Sequence, residues 1–234
     1  MLELQNVSVR FGGLSAVNDV SLAIGTHDVI GLVGSNGAGK TTLFNAISGL
    51  VRPSAGSIRF DGRDVLRAPM HLRARLGIGR TFQVPQPMHE LTVRENLLVA
   101  QRFGTGRVDA RKIDEVLDFT SLAHKANRNA ATELALTELK ALEVAKALAT
   151  DPQLLLLDEV LAGLETSGKR RFMGMLRELH TKFGVGIVMI EHDIETITSL
   201  CPRVAVLNFG QLIADGTPDA VFCDPAVIKS YTGA

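Results

Sequence analysis

The sequence predicts an α/β fold, a mainly parallel sheet with an N-terminal antiparallel β part and an inserted helical lobe. Three observations lead to this prediction. Apolar runs of the kind found in strands buried on both faces occur towards each end of the chain. A glycine-rich loop joins one of these runs to a helical pattern. Between the two α/β stretches, residues 85–150 show helical spacing with almost no β-branched run.

The N-terminal part is predicted to be antiparallel β-structure. LELQNVSV and LSAVNDVSLAI alternate apolar and polar residues, with a turn at Phe11–Gly13 between them. Residues 28–33 then form a short β-branched run that predicts a buried strand. The helix after the glycine-rich loop, KTTLFNAISGL, has an apolar stripe at helical spacing, namely Leu43, Ile47 and Leu50.

The next elements are shorter. GSIRFD predicts a strand that ends in an Asp-Gly turn. Residues 69–76 predict a short helix that Gly77 and Gly79 end, and Gln83 follows a predicted strand. In the helical lobe, three helices are predicted from TVRENLLVAQ, DARKIDEVLDF and ELALTELKALEVAKALA.

The α/β pattern returns after Pro152. LLLLDE and GIVMIE are continuous apolar runs, and strands joined by helical crossovers form a parallel sheet. The helix between them is predicted to bury one stripe, namely Phe172, Leu176, Leu179 and Phe183. RVAVLN and QLIAD predict a hairpin around Phe209-Gly210, and two helices are predicted to begin at Pro218 and Pro225. The predicted domains are a core of residues 1–84 and 151–234, and a helical lobe of residues 85–150.

Length and composition exclude several classes of protein. At 234 residues, the chain can form one α/β domain carrying a smaller lobe. Its 25 basic and 25 acidic residues are interspersed, so no charge run marks a nucleic-acid or anionic-membrane partner. Cys201 and Cys223 lie outside any C-x-x-C pair, which argues against a disulfide framework or structural zinc. The same cysteine usage leads us to expect a cytoplasmic compartment. Without a leader pattern or a bilayer-length apolar run, we expect membrane association only through a partner.

The glycine-rich loop carries the strongest chemical signal. GSNGAGKT fits the P-loop pattern G-x-x-x-x-G-K-[ST] at every fixed position and stands between a strand and a helix. Its backbone N–H groups and the helix N-terminus would surround phosphate oxygens, Lys40 would reach the terminal phosphates, and Thr41 would hold Mg²⁺. A chance match remains the alternative, but the structural context makes it rare. The predicted nucleotide-binding residues are Gly34, Ser35, Asn36, Gly37, Ala38, Gly39, Lys40, Thr41 and Thr42.

Further polar residues follow other predicted strands. In LLLLDE, Asp158 would face the water shell of the metal and Glu159 could act as a general base. Such a run is weak evidence alone but strong downstream of a P-loop. His192 in VMIEHD follows another buried strand, at the sheet edge where α/β proteins bind ligands. Gln83 in TFQVPQP also follows a predicted strand. The simpler interpretation makes His192 a turn or cap residue and Gln83 an ordinary loop residue.

Taken in order, these residues resemble a known family over the whole chain. Phe11, GSNGAGKT, Gln83, LLLLDE and His192 are similar to the aromatic loop, Walker A, Q-loop, Walker B and switch histidine of the ATP-binding subunits of ABC transporters. FGGLSAVNDVSL, RTFQ, LTVRENLLVAQ, AGL and IADGTPDAV resemble the ATPases of branched-chain amino-acid importers. The resemblance implies a P-loop NTPase core of the ABC ATPase fold, with ATP and Mg²⁺ as cofactors.

The resemblance also implies roles and partners. Phe11 would stack on adenine, Gln83 would contact Mg²⁺ and the attacking water, and His192 would touch the γ-phosphate. Two ATP-binding subunits, in a homodimer or heterodimer, would close head to tail over two ATP molecules. They would power an importer for branched-chain or related amino acids from the cytoplasmic face of the inner membrane. The other partners would be permease subunits and, indirectly, a solute-binding protein, with no nucleic acid.

The signature sequence departs from the family pattern. LSGGQ falls on residues 134–138, which read LALTE. Ala135 and Leu136 offer no side-chain donor to a phosphate, Glu138 adds negative charge, and Thr137 could still cap the helix. Either the backbone N–H groups suffice at a reduced rate, or this half-site is inactive and a heterodimer partner supplies the intact signature. We favour the second.

Smaller departures occur at Val160, where the family has proline, and at Glu165, where it has aspartate. Two other functions are less consistent with the sequence. A soluble ABC-type ATPase of DNA repair or translation normally shows coiled-coil insertions, zinc cysteines or basic tracts, which this sequence lacks. A P-loop phosphotransferase would leave His192 and the helical lobe unexplained.

Overall fold

The computed structural model describes residues 1–232, and the fold divides into two compact units. Of the described residues, the first unit comprises 1–73 and 186–232, and the second comprises 74–185. The strands are β1 (Leu2–Phe11), β2 (Leu14–Ile24), β3 (Val29–Val33), β4 (Ala55–Phe60), β5 (Arg63–Asp64), β6 (Ile78–Arg80), β7 (Leu154–Asp158), β8 (Gly186–Ile190), β9 (Arg203–Asn208) and β10 (Gln211–Gly216). The helices are α1 (Lys40–Ser48), α2 (Met70–Arg75), α3 (Val93–Thr105), α4 (Ala110–Phe119), α5 (Leu136–Ala149), α6 (Thr166–Phe183), α7 (Ile194–Leu200), α8 (Pro218–Phe222) and α9 (Pro225–Thr232).

The first unit begins with the predicted antiparallel structure. Its strands pair in the order β2-β1-β4-β5, all antiparallel, and the β1–β2 hairpin closes where Phe11 pairs with Leu14. The apolar residues that alternate along β1 are buried, whereas the polar residues between them are mostly exposed. The predicted Asp-Gly turn follows β4, with both Asp61 and Gly62 at positive φ.

The same unit contains a buried parallel set of strands. β3 pairs in parallel with β8 on one side and with β9 on the other, and β10 lies antiparallel to β9. Every residue of β8 is buried, as the continuous apolar run predicts. Because β3 and β8 are parallel neighbours, the loops that follow them leave the sheet at the same edge.

The second unit combines a parallel strand pair with helices. β6 pairs in parallel with β7, and the predicted helices are present as α3, α4, α5 and α6. Thr92 caps α3 in a capping box with Glu95, and the Asp109 side chain caps α4, which explains where these two helices begin. The helices of residues 85–150 lie in this unit with β6, β7 and α6, so their status as a separate lobe stays a prediction.

Three local predictions were wrong. The helix α1 was expected to include Leu50 in its apolar stripe, but Gly49 ends that helix in a left-handed conformation and Leu50 is exposed. Gly79 was expected to end α2 but lies inside β6, where an added Cβ would stand 3.0 Å from the Pro152 Cβ. Phe183 is half-buried rather than buried and packs edge-on against Phe119, with 5.0 Å between ring centroids.

Within residues 1–232, no helix is both long and apolar enough to cross a membrane.

Candidate functional site

The P-loop of the first unit encloses the ammonium group of a buried lysine. Lys40 is the first residue of α1, and its Nζ donates hydrogen bonds to the carbonyl oxygens of Gly34 at 2.7 Å and Ser35 at 3.0 Å. The loop therefore folds back over the lysine that the motif predicted to contact phosphates. A compact cation at this point attracts the negative charge of a phosphate chain.

Two positions of the P-loop require glycine, because backbone carbonyl groups of other strands lie where a side chain would begin. Gly34 has φ of +146°, and a Cβ there would stand 2.1 Å from the carbonyl oxygen of Leu207. Gly39 has φ of +102°, and a Cβ there would stand 2.3 Å from the carbonyl oxygen of Ala16. The loop is also tied to the β9–β10 hairpin, because the N–H of Gly210 donates to the carbonyl of Ala38 at 2.9 Å. The P-loop is therefore fixed by β2 and β9 rather than by its own sequence alone.

The N-terminus of α1 is suited to bind an anion. The first-turn N–H groups of an α-helix have no partner within the helix, and in the described part of the chain no side chain caps α1. Its first turn holds no acidic residue, so the partial positive charge of the helix end is unopposed by a carboxylate of that turn. Asn36, Gly37 and Thr41 are exposed at this end. The donor set fits a phosphate group.

Phe11 and His192 belong to the same unit as the P-loop. Phe11 ends β1 with 49 % of its surface exposed, and the following strand places the Ala16 carbonyl against Gly39 of the P-loop. The hairpin that carries Phe11 therefore contacts the loop. His192 is exposed two residues beyond β8, at the edge of the sheet from which β3 enters the P-loop. Asp193, not His192, caps α7, so the cap interpretation of His192 was wrong.

In the second unit, Asp158 is paired with a residue that sequence reasoning missed. Asp158 ends β7, Arg80 ends β6, and their buried side chains form an ion pair at 3.1 Å. Burial raises the pKa of Asp158, and the charge of Arg80 opposes that increase. Arg80 stands in the segment GIGRTFQ, but a single arginine at a strand end has no spacing pattern that would distinguish it.

Glu159 and Gln83 lie together. The Gln83 amide Nε2 donates to the Glu159 carboxylate at 2.5 Å, and Glu159 is buried. Glu159 has φ of +48°, a left-handed conformation that is uncommon for a residue with a side chain. Such backbone conformations are frequent at functional sites. The structure thus brings two of the predicted catalytic residues into direct contact.

Lys140 of α5 was also missed. Its Nζ donates to the carbonyl oxygens of Gln83 at 2.6 Å and Glu159 at 3.0 Å, and the residue is buried. The only sequence signal is a lysine in a mainly apolar helix, LKALEVAKALA. That signal indicates a role for Lys140 only when the carbonyl groups that its ammonium contacts are known.

The departures in the signature segment change how α5 begins. The helix starts at Leu136 with Ala135 at the cap position, so Thr137 lies inside the first turn and the prediction that it caps the helix was wrong. The Glu138 carboxylate instead accepts the N–H of Ala135 at 2.8 Å and the Nζ of Lys125 at 2.7 Å. Burial alone would raise the pKa of Glu138, but these two hydrogen bonds hold it below its ordinary value. The negative charge expected here is therefore paired.

Among residues 1–232, no cluster of three or more histidine, cysteine, aspartate or glutamate side chains could hold a metal ion. A magnesium ion bound with a nucleotide needs fewer protein ligands, because phosphate and water oxygens complete its shell.

Comparison with known proteins identifies the family. A family model described as ABC transporter matches residues 17–162, more than half of the chain. The chain belongs to the ABC transporter family. A second model, described as Branched-chain amino acid ATP-binding cassette transporter, matches residues 211–234.

Individual ABC proteins match over their full lengths. The high-affinity branched-chain amino acid transport ATP-binding protein BraF of Pseudomonas aeruginosa is 38% identical, with 100% of this chain and 98% of BraF covered. LivG of Salmonella typhimurium, with the same descriptive name, is 36% identical over the same shares. A solved ATP-binding cassette of an ABC transporter in its ADP conformation is 30% identical, with a TM-score of 0.88, and the match covers 100% of this chain and 99% of that one.

These matches confirm the predicted fold and family. The chain is the ATP-binding subunit of an ABC transporter, an ATPase that drives transport, and it is close to the ATPases of branched-chain amino-acid importers. ABC ATPase domains bind nucleotide and work with transmembrane permease components. The comparisons do not favour the alternative of a soluble ATPase in DNA repair or translation.

Proposed function

We propose that this ABC ATPase binds and hydrolyses ATP with Mg²⁺ to power an importer of branched-chain or related amino acids. The amino-acid class is supported by the names of the BraF and LivG relatives and by the family model matched at residues 211–234. The subunit would sit at the cytoplasmic face of the inner membrane and be held there by permease subunits. A solute-binding protein would deliver the solute to those permeases.

The observation that carries the nucleotide assignment is the P-loop geometry. Lys40 is held inside a glycine-rich loop at the uncapped N-terminus of α1, where anions bind. Lys40 would pair with the terminal phosphates, and the exposed ring of Phe11 would stack on the base. Thr41, Gln83 and Asp158 would hold Mg²⁺, which neutralises charge that develops on the transferred phosphoryl group.

Hydrolysis needs a base, an oriented water and a donor to the phosphate. Glu159 would accept the proton of the attacking water, because a carboxylate acts as a general base. The hydrogen bond from the Gln83 amide to the Glu159 carboxylate supports this proposal, in which the two residues would orient the same water. His192 would donate a hydrogen bond to the γ-phosphate, as the family resemblance implies.

The LALTE segment supports a heterodimer with one weak composite site. In an intact signature, a serine hydroxyl and backbone N–H groups face the phosphate. Here the N–H of Ala135 is occupied by the chain's own Glu138 carboxylate. The P-loop of this chain would then be completed by an intact signature of the partner, whereas the partner's P-loop would face LALTE.

The test is a Glu159→Gln variant in the reconstituted importer, compared with Glu178→Gln, an exposed glutamate of the same unit. We expect Glu159→Gln to keep its affinity for Mg²⁺-ATP and to lose turnover by a factor on the order of a hundred or more, because the base is removed. Glu178→Gln should match the wild type. Unchanged turnover in Glu159→Gln would reject the assigned base.

The solute assignment is tested separately. Proteoliposomes that contain the whole importer and its solute-binding protein should accumulate labelled leucine, isoleucine or valine when ATP is supplied. ATP-dependent uptake of an unrelated solute, with none of these amino acids taken up, would overturn the assignment and leave the ATPase mechanism intact.

A further inference from the structure

One face of α5 holds the segment that follows β6. Lys140 donates to the Gln83 carbonyl at 2.6 Å, the Glu143 carboxylate accepts the N–H of Gln86 at 2.8 Å, and Lys146 donates to the Gln86 carbonyl at 2.7 Å. Glu143 and Lys146 also form an ion pair at 2.6 Å. The three side chains recur at every third residue, so they lie on one side of the helix. All belong to the second unit.

Lys140 differs from the other two because it contacts a second segment. The same ammonium donates to the Glu159 carbonyl at 3.0 Å, and Lys140 is 3 % exposed. Gln83 and Glu159 are thus joined twice, through their side chains and through the lysine that binds both of their backbone carbonyls. A buried ammonium is costly without such partners, so the burial of Lys140 fixes both carbonyls where it can reach them.

The second contact bears on the conformation of Glu159. Its φ of +48° is disfavoured for a residue with a side chain, and it persists only where surrounding contacts enforce it. A hydrogen bond from a charged donor to the carbonyl of that same residue is such a contact. The direction of the carboxylate depends on that backbone conformation.

We propose that Lys140 is a positioning residue for ATP hydrolysis. It holds Gln83 and Glu159 in one arrangement and so aims the carboxylate that removes the proton from water. Lys140 acts through these two residues and does not touch the nucleotide. The inference rests on the proposed role of Glu159 as general base. The signature helix, whose own signature letters are altered, thereby keeps a function within its own chain.

The experiment uses the whole importer, with Lys140→Met and Lys140→Arg compared with Lys112→Met. Lys112 lies in the same unit and pairs with Glu115 and Asp151 near the surface. Three quantities are measured: the Kd for Mg²⁺-ATP, the single-turnover rate, and the thermal midpoint of the purified subunit.

We expect Lys140→Met to slow hydrolysis by at least about ten-fold at an unchanged Kd, because a misplaced catalytic group costs rate rather than binding. Lys140→Arg retains a charged donor for both carbonyls and should recover most of the rate. If Lys140→Met does not assemble, Lys140→Gln, which keeps one donor group, should show the same separation of rate from affinity. Lys112→Met should match the wild type in all three quantities.

Two results would overturn the inference. One is an unchanged single-turnover rate in Lys140→Met. The other is a loss of rate in proportion to the loss of assembled, ATP-binding protein, with no recovery in Lys140→Arg. That result would show that Lys140 has a purely structural role. A parallel Glu159→Gln measurement separates this inference from the proposed function. If Glu159→Gln keeps full turnover, the proposed base is wrong; if it loses turnover while Lys140→Met does not, only the role of Lys140 is wrong.

Discussion

We propose that nucleotide binding depends on Lys40 more than on any other residue of the P-loop. Its ammonium is already held inside the P-loop by two carbonyls, so little side-chain freedom is lost when a phosphate binds. We predict that Lys40→Met weakens Mg²⁺-ATP binding by about a hundred-fold or more, because two or more charge-assisted contacts to phosphate are lost. Calorimetry on the full chain measures this, with Lys112→Met as the control. Undiminished binding in Lys40→Met would contradict the P-loop assignment.

Gly34 illustrates a stability requirement at a single position. We predict that Gly34→Ala lowers the free energy of unfolding by more than about 3 kcal/mol, because the new Cβ would collide with the backbone of Leu207 at a strained φ. Gly12→Ala is the matched control. Gly12 also has positive φ, but nothing lies within 4 Å of the added Cβ, so a loss of only about 1 kcal/mol is expected. Urea unfolding without nucleotide compares them, and equal losses would refute the steric argument.

At the residue scale, the sequence predicted residues that belong to a pattern and missed those that act singly. Lys40 is recognisable because glycines and a threonine stand at fixed distances from it. Arg80 and Lys140 are single cations. The partner of Arg80 lies 78 residues away in the chain, and the two partners of Lys140 lie 57 and 19 residues away. Their roles arise from long-range contacts, which spacing within one segment does not encode.

The beginning of α5 gives a pH-dependent prediction at the scale of the element. The pKa of Glu138 in the folded protein lies below its ordinary value of 4.5. Its contribution to stability is therefore present above pH 4.5 and lost as the pH falls through the lowered pKa. We predict that Glu138→Gln costs about 1 kcal/mol at neutral pH, as for other helix-capping residues, and that the difference from wild type shrinks on acidification below 4.5.

Urea unfolding at a series of pH values measures this difference. In a Lys125→Met background, which removes one of the hydrogen bonds that lower the pKa, the pH-dependent part should be smaller. A difference between wild type and Glu138→Gln that does not vary with pH would contradict the assignment.

Helices and strands were predictable where a continuous apolar run or a helical spacing extended over several residues. The continuous run LLLLDE gave β7, and the caps and spacing of DARKIDEVLDF gave α4. The ends of helices and the short strands were harder to predict. β6 has only three residues, and in the sequence its central Gly79 indicates the end of a helix. In the structure, Pro152 packs against Gly79 so closely that an added Cβ would lie 3.0 Å from the Pro152 Cβ. Leu50 fitted the helical period, but Gly49 interrupts the helix before it.

For the assembled transporter, the altered signature predicts unequal ATP sites. We predict that Glu159→Gln in this chain removes most turnover, whereas the corresponding substitution in the partner subunit leaves most of it. The reason is that this chain's P-loop would face an intact signature, and the partner's P-loop would face LALTE, where Glu138 occupies the N–H of Ala135. Single-turnover hydrolysis in each variant complex measures the two sites. Equal losses from the two substitutions would indicate equivalent sites.

The contacts that hold the P-loop also have a consequence for synthesis on the ribosome. The loop leaves the ribosome early, but β3 pairs with β8 and β9, and the Ala38 carbonyl is bonded by the N–H of Gly210. These partners are translated only near the end of the chain. A nascent polypeptide that has just exposed the P-loop therefore lacks its flanking strands, and ATP in the cell can stabilise the fold only after the β9–β10 hairpin has emerged.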